Sequence, residues 1–154
     1  MIRVLCTALA LALTPIAAQA QTAPAAQTHG VPVKEVVSPG GIKAWLVSDA
    51  TVPIIVFRAY WKGGSTVDPA GKEGAAGMMA NMLTEGAGDL NDEQFKIRLE
   101  ELNMSLGFGS GGDGVSMSLT TLSRNRDAAF EMGRLALASP RFDDGPLARI
   151  KRQS

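Results

Sequence analysis

The run Ile54-Ile55-Val56-Phe57-Arg58-Ala59-Tyr60-Trp61 constrains the fold more than any other stretch of the chain. Its β-branched and aromatic residues favour extended backbone. Successive strand residues point to opposite faces of a sheet, and here both faces are apolar over most of the length. Such a strand needs cover on both sides, so it is expected to be a central, buried strand. The flanking sequence fits a sheet around it. Val31-Val33-Glu35-Val37 alternates weakly, "SPGG" makes a turn, and Ile42-Ala44-Leu46 alternates with Lys43, Trp45 and Val47. Further along, "MSLGFGSGGDGVSMSLTTL" reads as two short strands joined by a glycine-rich turn, the second half-buried through Val115, Met117, Leu119 and Thr121.

Between these strands the period changes from two to 3.6. Ala75, Met78, Met79, Met82 and Leu83 recur at three- and four-residue spacing and predict a core-facing helix from about Lys72 to Glu85, closed by "GAGD". A second helix opens at Asn91, with Gln94 three residues on in a capping-box pattern and Phe95, Leu99 and Leu102 facing inward. A third runs from about Asn125 to Ala138, carrying Phe130, Leu135 and Leu137, and Pro140 stops it. "FDDGPLARIKRQS" opens a fourth, with Asp144 as cap and Pro146 in its first turn. A chain that ends two turns into a helix reads as a fragment.

The first 20 residues are set apart by composition. Arg3 precedes an apolar run from Val4 to Ala18, followed by small residues at Ala18 and Ala20. This is the pattern of a secretory signal peptide cleaved after Ala20; the run falls short of the ~20 residues a bilayer span needs. A periplasmic or secreted location follows, with no membrane association after the peptide is removed. Residues 21–30 are small, polar and Pro-containing, the composition of a disordered tether, and residues 31–154 form the domain. The only cysteine, Cys6, goes with the signal peptide, so the exported chain holds its fold by packing. Removal of Arg3 leaves a net charge of about −1, which gives no footprint for nucleic acid.

Most chemical motifs fail on context. "GFGSGG", Gly107 to Gly112, fits the dinucleotide fingerprint in letters, but its glycines lead into a strand rather than a helix N-terminus. The only histidine, His29, lies in the tether, so no structured histidine can serve a nucleophilic serine. Asp143-Asp144 and Glu100-Glu101 sit on helix ends or solvated faces, where capping and surface roles explain them.

The order of elements, carried by "GKEGAAGMMANMLTEGAGDLNDEQFKIRLEELNMSLGFGSGGDGVSMSLTTLSRNRDAAFEMGRLALASPRFD", resembles the N-terminal domain of the peptidase M16 family, the insulinase-like and mitochondrial-processing-peptidase-like zinc peptidases. The resemblance spans nearly all of the exported chain. It implies an α+β fold of the M16/LuxS-like metallohydrolase type, a mostly antiparallel sheet with helices packed on one face, incomplete at the C-terminus. Active members carry H-x-x-E-H on the first helix: two histidines bind zinc, and the Glu is the general base. Aligned on Gly74 and Met82-Leu83, the zinc-ligand positions are Gly77 and Asn81 and the general-base position is Ala80, so neither catalytic nor metal-binding residues are expected. The third ligand position falls beyond Ser154. On a continuous helix Glu73 and Glu85 share a face with these positions, but twelve residues at 1.5 Å each hold them ~18 Å apart, too far to chelate one ion.

The resemblance therefore implies a noncatalytic subunit that binds no cofactor of its own. Its partner would be an active M16 chain with H-x-x-E-H intact, which carries the zinc, and together they would bind and process polypeptides. The segment matching the substrate-pairing edge strand of active relatives is Leu106, Gly107, Phe108, Gly109 and Ser110; it lacks their Asn-Ala pattern and is expected to serve chiefly as one arm of a hairpin. Two alternatives are an active zinc metalloendopeptidase with its ligands outside this segment, and a stand-alone peptide-binding or scaffold protein.

Overall fold

The computed structural model describes residues 32–152. The expected signal peptide and tether, with His29, lie outside the described residues. Contacts within the chain divide it into two units, one ending at Ser48 and one beginning at Asp49.

In the first unit, β1 (Val33–Val37) and β2 (Lys43–Val47) form an antiparallel hairpin in the register Val33↔Val47 to Val37↔Lys43. Its turn is closed by Gly41 N–H donating to the Ser38 carbonyl and Ile42 N–H to the Ser38 hydroxyl. Gly41 takes the left-handed conformation there (φ 82°), which costs a glycine nothing. Lys43 pairs with Glu35 across the strands at 3.2 Å.

The second unit holds a three-stranded antiparallel sheet of order β3-β5-β4, from β3 (Ile54–Lys62), β4 (Ser105–Ser110) and β5 (Gly114–Leu122). The central strand is therefore β5, and β3 is an edge among the described residues. This corrects the expectation for Ile54–Trp61. One face of β3, with Ile54, Val56 and Tyr60, is exposed, while Ile55, Phe57 and Ala59 are half-buried, the last two against the core. On β5, Val115, Met117, Leu119 and Thr121 are buried and Ser116 and Ser118 face solvent. The alternation that marked β5 as half-buried is thus the signature of a middle strand covered on one face.

The cover is helical. Helix α2 (Asp92–Glu101) buries Phe95, and α3 (Arg126–Ala138) presents Ala129, Met132, Gly133 and Ala136. Small residues bring α3 close: a Cβ on Gly133 would lie 2.9 Å from the Met117 methyl and 3.4 Å from Leu119. The larger Phe130 is partly exposed and meets the Phe57 ring edge-on at 5.4 Å. Asn91 and Gln94 form the reciprocal capping box that their spacing predicts. At the other end of α2 the Leu102 carbonyl accepts from the Asn125 amide and from the buried Thr121 hydroxyl, so Thr121 is satisfied in the core.

The first helix is shorter than its periodicity predicts: α1 spans Ala75–Met82, not Lys72–Glu85. Gly71 and Gly74 take positive φ (77° and 91°), which breaks the helical path before Ala75. The cap comes from further back, where the Asp68 carboxylate accepts from Gly74 N–H at 2.7 Å and Ala76 N–H at 2.9 Å. Of its apolar stripe Met82 and Leu83 are buried, whereas Met79 is partly exposed. Helix α4 (Asp144–Lys151) starts one residue earlier than expected, with Asp143 at its N-cap position. No helix among the described residues is long and apolar enough to cross a membrane.

Candidate functional site

What positions α1 is the loop that enters it. Gly63 N–H donates to the Asp113 carbonyl, Ser65 N–H to Gly111 and Thr66 N–H to Gly112. The β3–α1 connection is thereby stitched to the β4–β5 turn, with the Thr66 hydroxyl adding a bond to the Gly112 carbonyl at 2.8 Å. Gly64 sits where these backbones nearly touch; a Cβ there would lie 2.0 Å from the Gly111 carbonyl oxygen. From this fixed point Asp68 reaches the start of α1, and the helix lies against β4.

Between them is a cavity of about 350 Å³ lined by Ala80, Asn81, Thr84, Glu85, Gly107, Phe108 and Ile150. Its walls come from three places: the end of α1 and the turn after it, the outer strand β4, and helix α4. Ala80 and Ile150 are buried, and Asn81 is exposed. Two of the three positions matched to the zinc motif, Ala80 and Asn81, thus meet two residues of the predicted edge segment, Gly107 and Phe108. Gly77 lies one turn before Asn81 without lining the cavity, and a Cβ there would meet nothing within 4 Å. Leu106 is buried in the core instead, and Gly109 and Ser110 lie outside the lining. The β4 segment is at once the arm of a hairpin, through Ser105↔Thr120 to Ser110↔Val115, and the outer strand of its sheet among the described residues.

The charged wall of the cavity was not legible beforehand. The Glu85 carboxylate accepts from Lys96 of α2 at 2.9 Å and from one arm of the Arg149 guanidinium of α4. The other arm reaches Asp92 at 3.4 Å. The hydrogen bond to Glu85, then its charge, and more weakly Asp92 hold the guanidinium above its usual range, so it stays protonated. Glu73, by contrast, lies before α1 and not on it. Its carboxylate accepts Gly71 N–H at 2.9 Å, which lowers its pKa.

The donor chemistry decides whether zinc fits. Zinc takes thiolate, imidazole or carboxylate ligands. Positions 77, 80 and 81 offer a hydrogen, a methyl and a neutral carboxamide. Glu85 is already engaged by two cations, and Glu73 is committed to its own turn. No group of three or more His, Cys, Asp or Glu among the described residues could hold an ion. The residues do not fit the metal, and no hydrolytic step is derived through it. What the arrangement offers is a polar groove with charge neutralised at its wall, beside a strand that is outermost in its sheet among the described residues.

Fold and site together define an α+β domain whose first helix lacks the donors for a zinc site. No protein-family profile matches the chain. Its structure is similar to the inactive domain of a peptidase M16 from Pseudomonas fluorescens, with 27% identity and a TM-score of 0.73 over 79% of this chain and 30% of that one. It also shares its fold with a protease from Helicobacter pylori, at 17% identity and a TM-score of 0.66 over 79% of this chain and 29% of that one. In sequence it is 26% identical over 102 residues to the non-peptidase homolog YmxG of Helicobacter pylori, covering 66% of this chain and 24% of that protein. The chain spans between 24% and 30% of the length of these proteins. Its α+β fold is similar to that of M16-like proteins, one of them an inactive domain and one a non-peptidase homolog.

Proposed function

We propose that this chain is the silent member of an exported M16 pair: it binds unfolded or small polypeptides and supports their cleavage by an active subunit that carries the zinc. The observation that carries this reading is the cavity beside β4. It sets a strand that is outermost among the described residues beside a groove against α1, while positions 77, 80 and 81 hold no group able to bind zinc or activate water. A strand with an open edge binds extended polypeptide through its backbone, largely independently of side-chain sequence, and this function needs no metal. The likeness to one inactive M16 domain and to one non-peptidase homolog supports the silent role. The N-terminal 20 residues, with their short apolar run before Ala18 and Ala20, support export.

The test is co-expression of the full chain with an M16 chain of the same organism that retains H-x-x-E-H. The two are expected to co-purify, and cleavage of a reduced, unfolded polypeptide is expected to be faster for the pair than for the active chain alone. Separate elution with unchanged cleavage would refute the pairing. Cleavage by this chain alone would refute the silent role.

A further inference from the structure

Helix α4 forms one wall of the cavity. It is eight residues long, and only Pro146 and Ile150 among them are buried. Ile150 lines the cavity, and the residue before it, Arg149, is partly exposed and carries the ionic contacts described above. The Arg149 fork reaches two places at once. One arm holds Glu85, in the turn that follows α1 and itself a lining residue, and the other holds Asp92, in the first turn of α2. Glu85 is only 14% exposed and also accepts Lys96, so its charge is balanced from two helices. A planar guanidinium can hold two carboxylates at fixed geometry, which an ammonium cannot.

We infer that Arg149 is a positioning residue of the cavity: by bridging Glu85 and Asp92 it holds α4 against the α1 end, and so fixes Ile150 as the third wall of the polypeptide site. The inference rests on the reading of the cavity as that site. The bridge is ionic and partly exposed, so salt weakens it. Its loss frees α4 locally, because the sheet, α2 and α3 are held by a separate core of Phe95, Met117, Leu119 and Met132.

The experiment is hydrogen exchange on the full chain carrying Arg149→Met or Arg149→Lys. In R149M the amides of 147–151 are expected to exchange at least about tenfold faster while those of β5 are unchanged, with R149K intermediate. Raising the salt should speed exchange of these amides in the wild type but not in R149M. Exchange in R149M within about twofold of wild type, or faster exchange of α4 and β5 together, overturns the inference. Binding of fluorescein-labelled, reduced and carboxamidomethylated α-lactalbumin separates it from the reading beneath it. Affinity for this unfolded probe should fall in R149M and recover partly in R149K. Local loosening of α4 with unchanged affinity overturns Arg149 as a positioning residue. A wild-type chain that does not bind the probe refutes the polypeptide reading, and exchange alone then decides whether Arg149 holds α4.

Discussion

Replacing Gly64 by alanine adds one methyl group and tests how α1, and with it the cavity, is held in place. Gly64 has φ −86° and ψ −146°, so no left-handed strain is involved. The cost is steric. The new Cβ would lie 2.0 Å from the Gly111 oxygen, 2.6 Å from the Gly114 nitrogen and 2.8 Å from the Gly112 oxygen. All three are backbone atoms and cannot turn aside as a side-chain tip could. Restoring a contact of ordinary length, near 3.4 Å, requires the two loops to separate by more than 1 Å. That movement would break the Ser65–Gly111 and Thr66–Gly112 hydrogen bonds that stitch them. Overpacking of this kind costs about 1–3 kcal/mol, and unforgiving neighbours put Gly64→Ala at the upper end, about 3 kcal/mol. Urea unfolding read by the midpoint at constant slope measures it. Gly112→Ala is the control, since a Cβ there meets nothing within 4 Å, and it should stay within about 0.5 kcal/mol of wild type. Equal midpoints for the two variants would refute the close approach, and with it the account of how α1 is placed.

Two further outcomes follow from α1. Asp68→Ala removes the carboxylate that caps Gly74 and Ala76, which should cost about 1 kcal/mol in urea unfolding and raise exchange at the first turn of α1; Asp68→Asn should retain part of the loss. Introducing Gly77→His with Asn81→His places two imidazoles one turn apart, where position 77 has open space. By calorimetric titration that variant should bind zinc more tightly than the parent, and identical titrations would count against the two positions sharing an accessible face.

How much could be read from sequence depended on how local the cause was. The α2 capping box was legible because Asn91 and Gln94 lie three residues apart and satisfy each other. The start of α1 was not, because its cap is Asp68, six and eight residues before the amides it receives, and two positive-φ glycines intervene. The central place of β5 was misassigned to β3 for a physical reason. Apolar residues on both faces indicate desired cover, but Ile54, Val56 and Tyr60 remain exposed among the described residues. Of the site, positions 77, 80 and 81 were reached through family resemblance, whereas Glu85 and Arg149 were not. Their pairing spans 64 residues and depends on how α4 returns to α1, which neither periodicity nor spacing encodes.

The central claim is that this domain, similar in fold to M16-like proteins, does not carry zinc chemistry on its first helix, and the zinc content of the purified full chain tests it most directly. After expression with zinc supplied and removal of loosely bound ions, elemental analysis is expected to find far less than one zinc per chain, because positions 77, 80 and 81 offer no ligand that zinc prefers. About one tightly held zinc per chain would contradict the account.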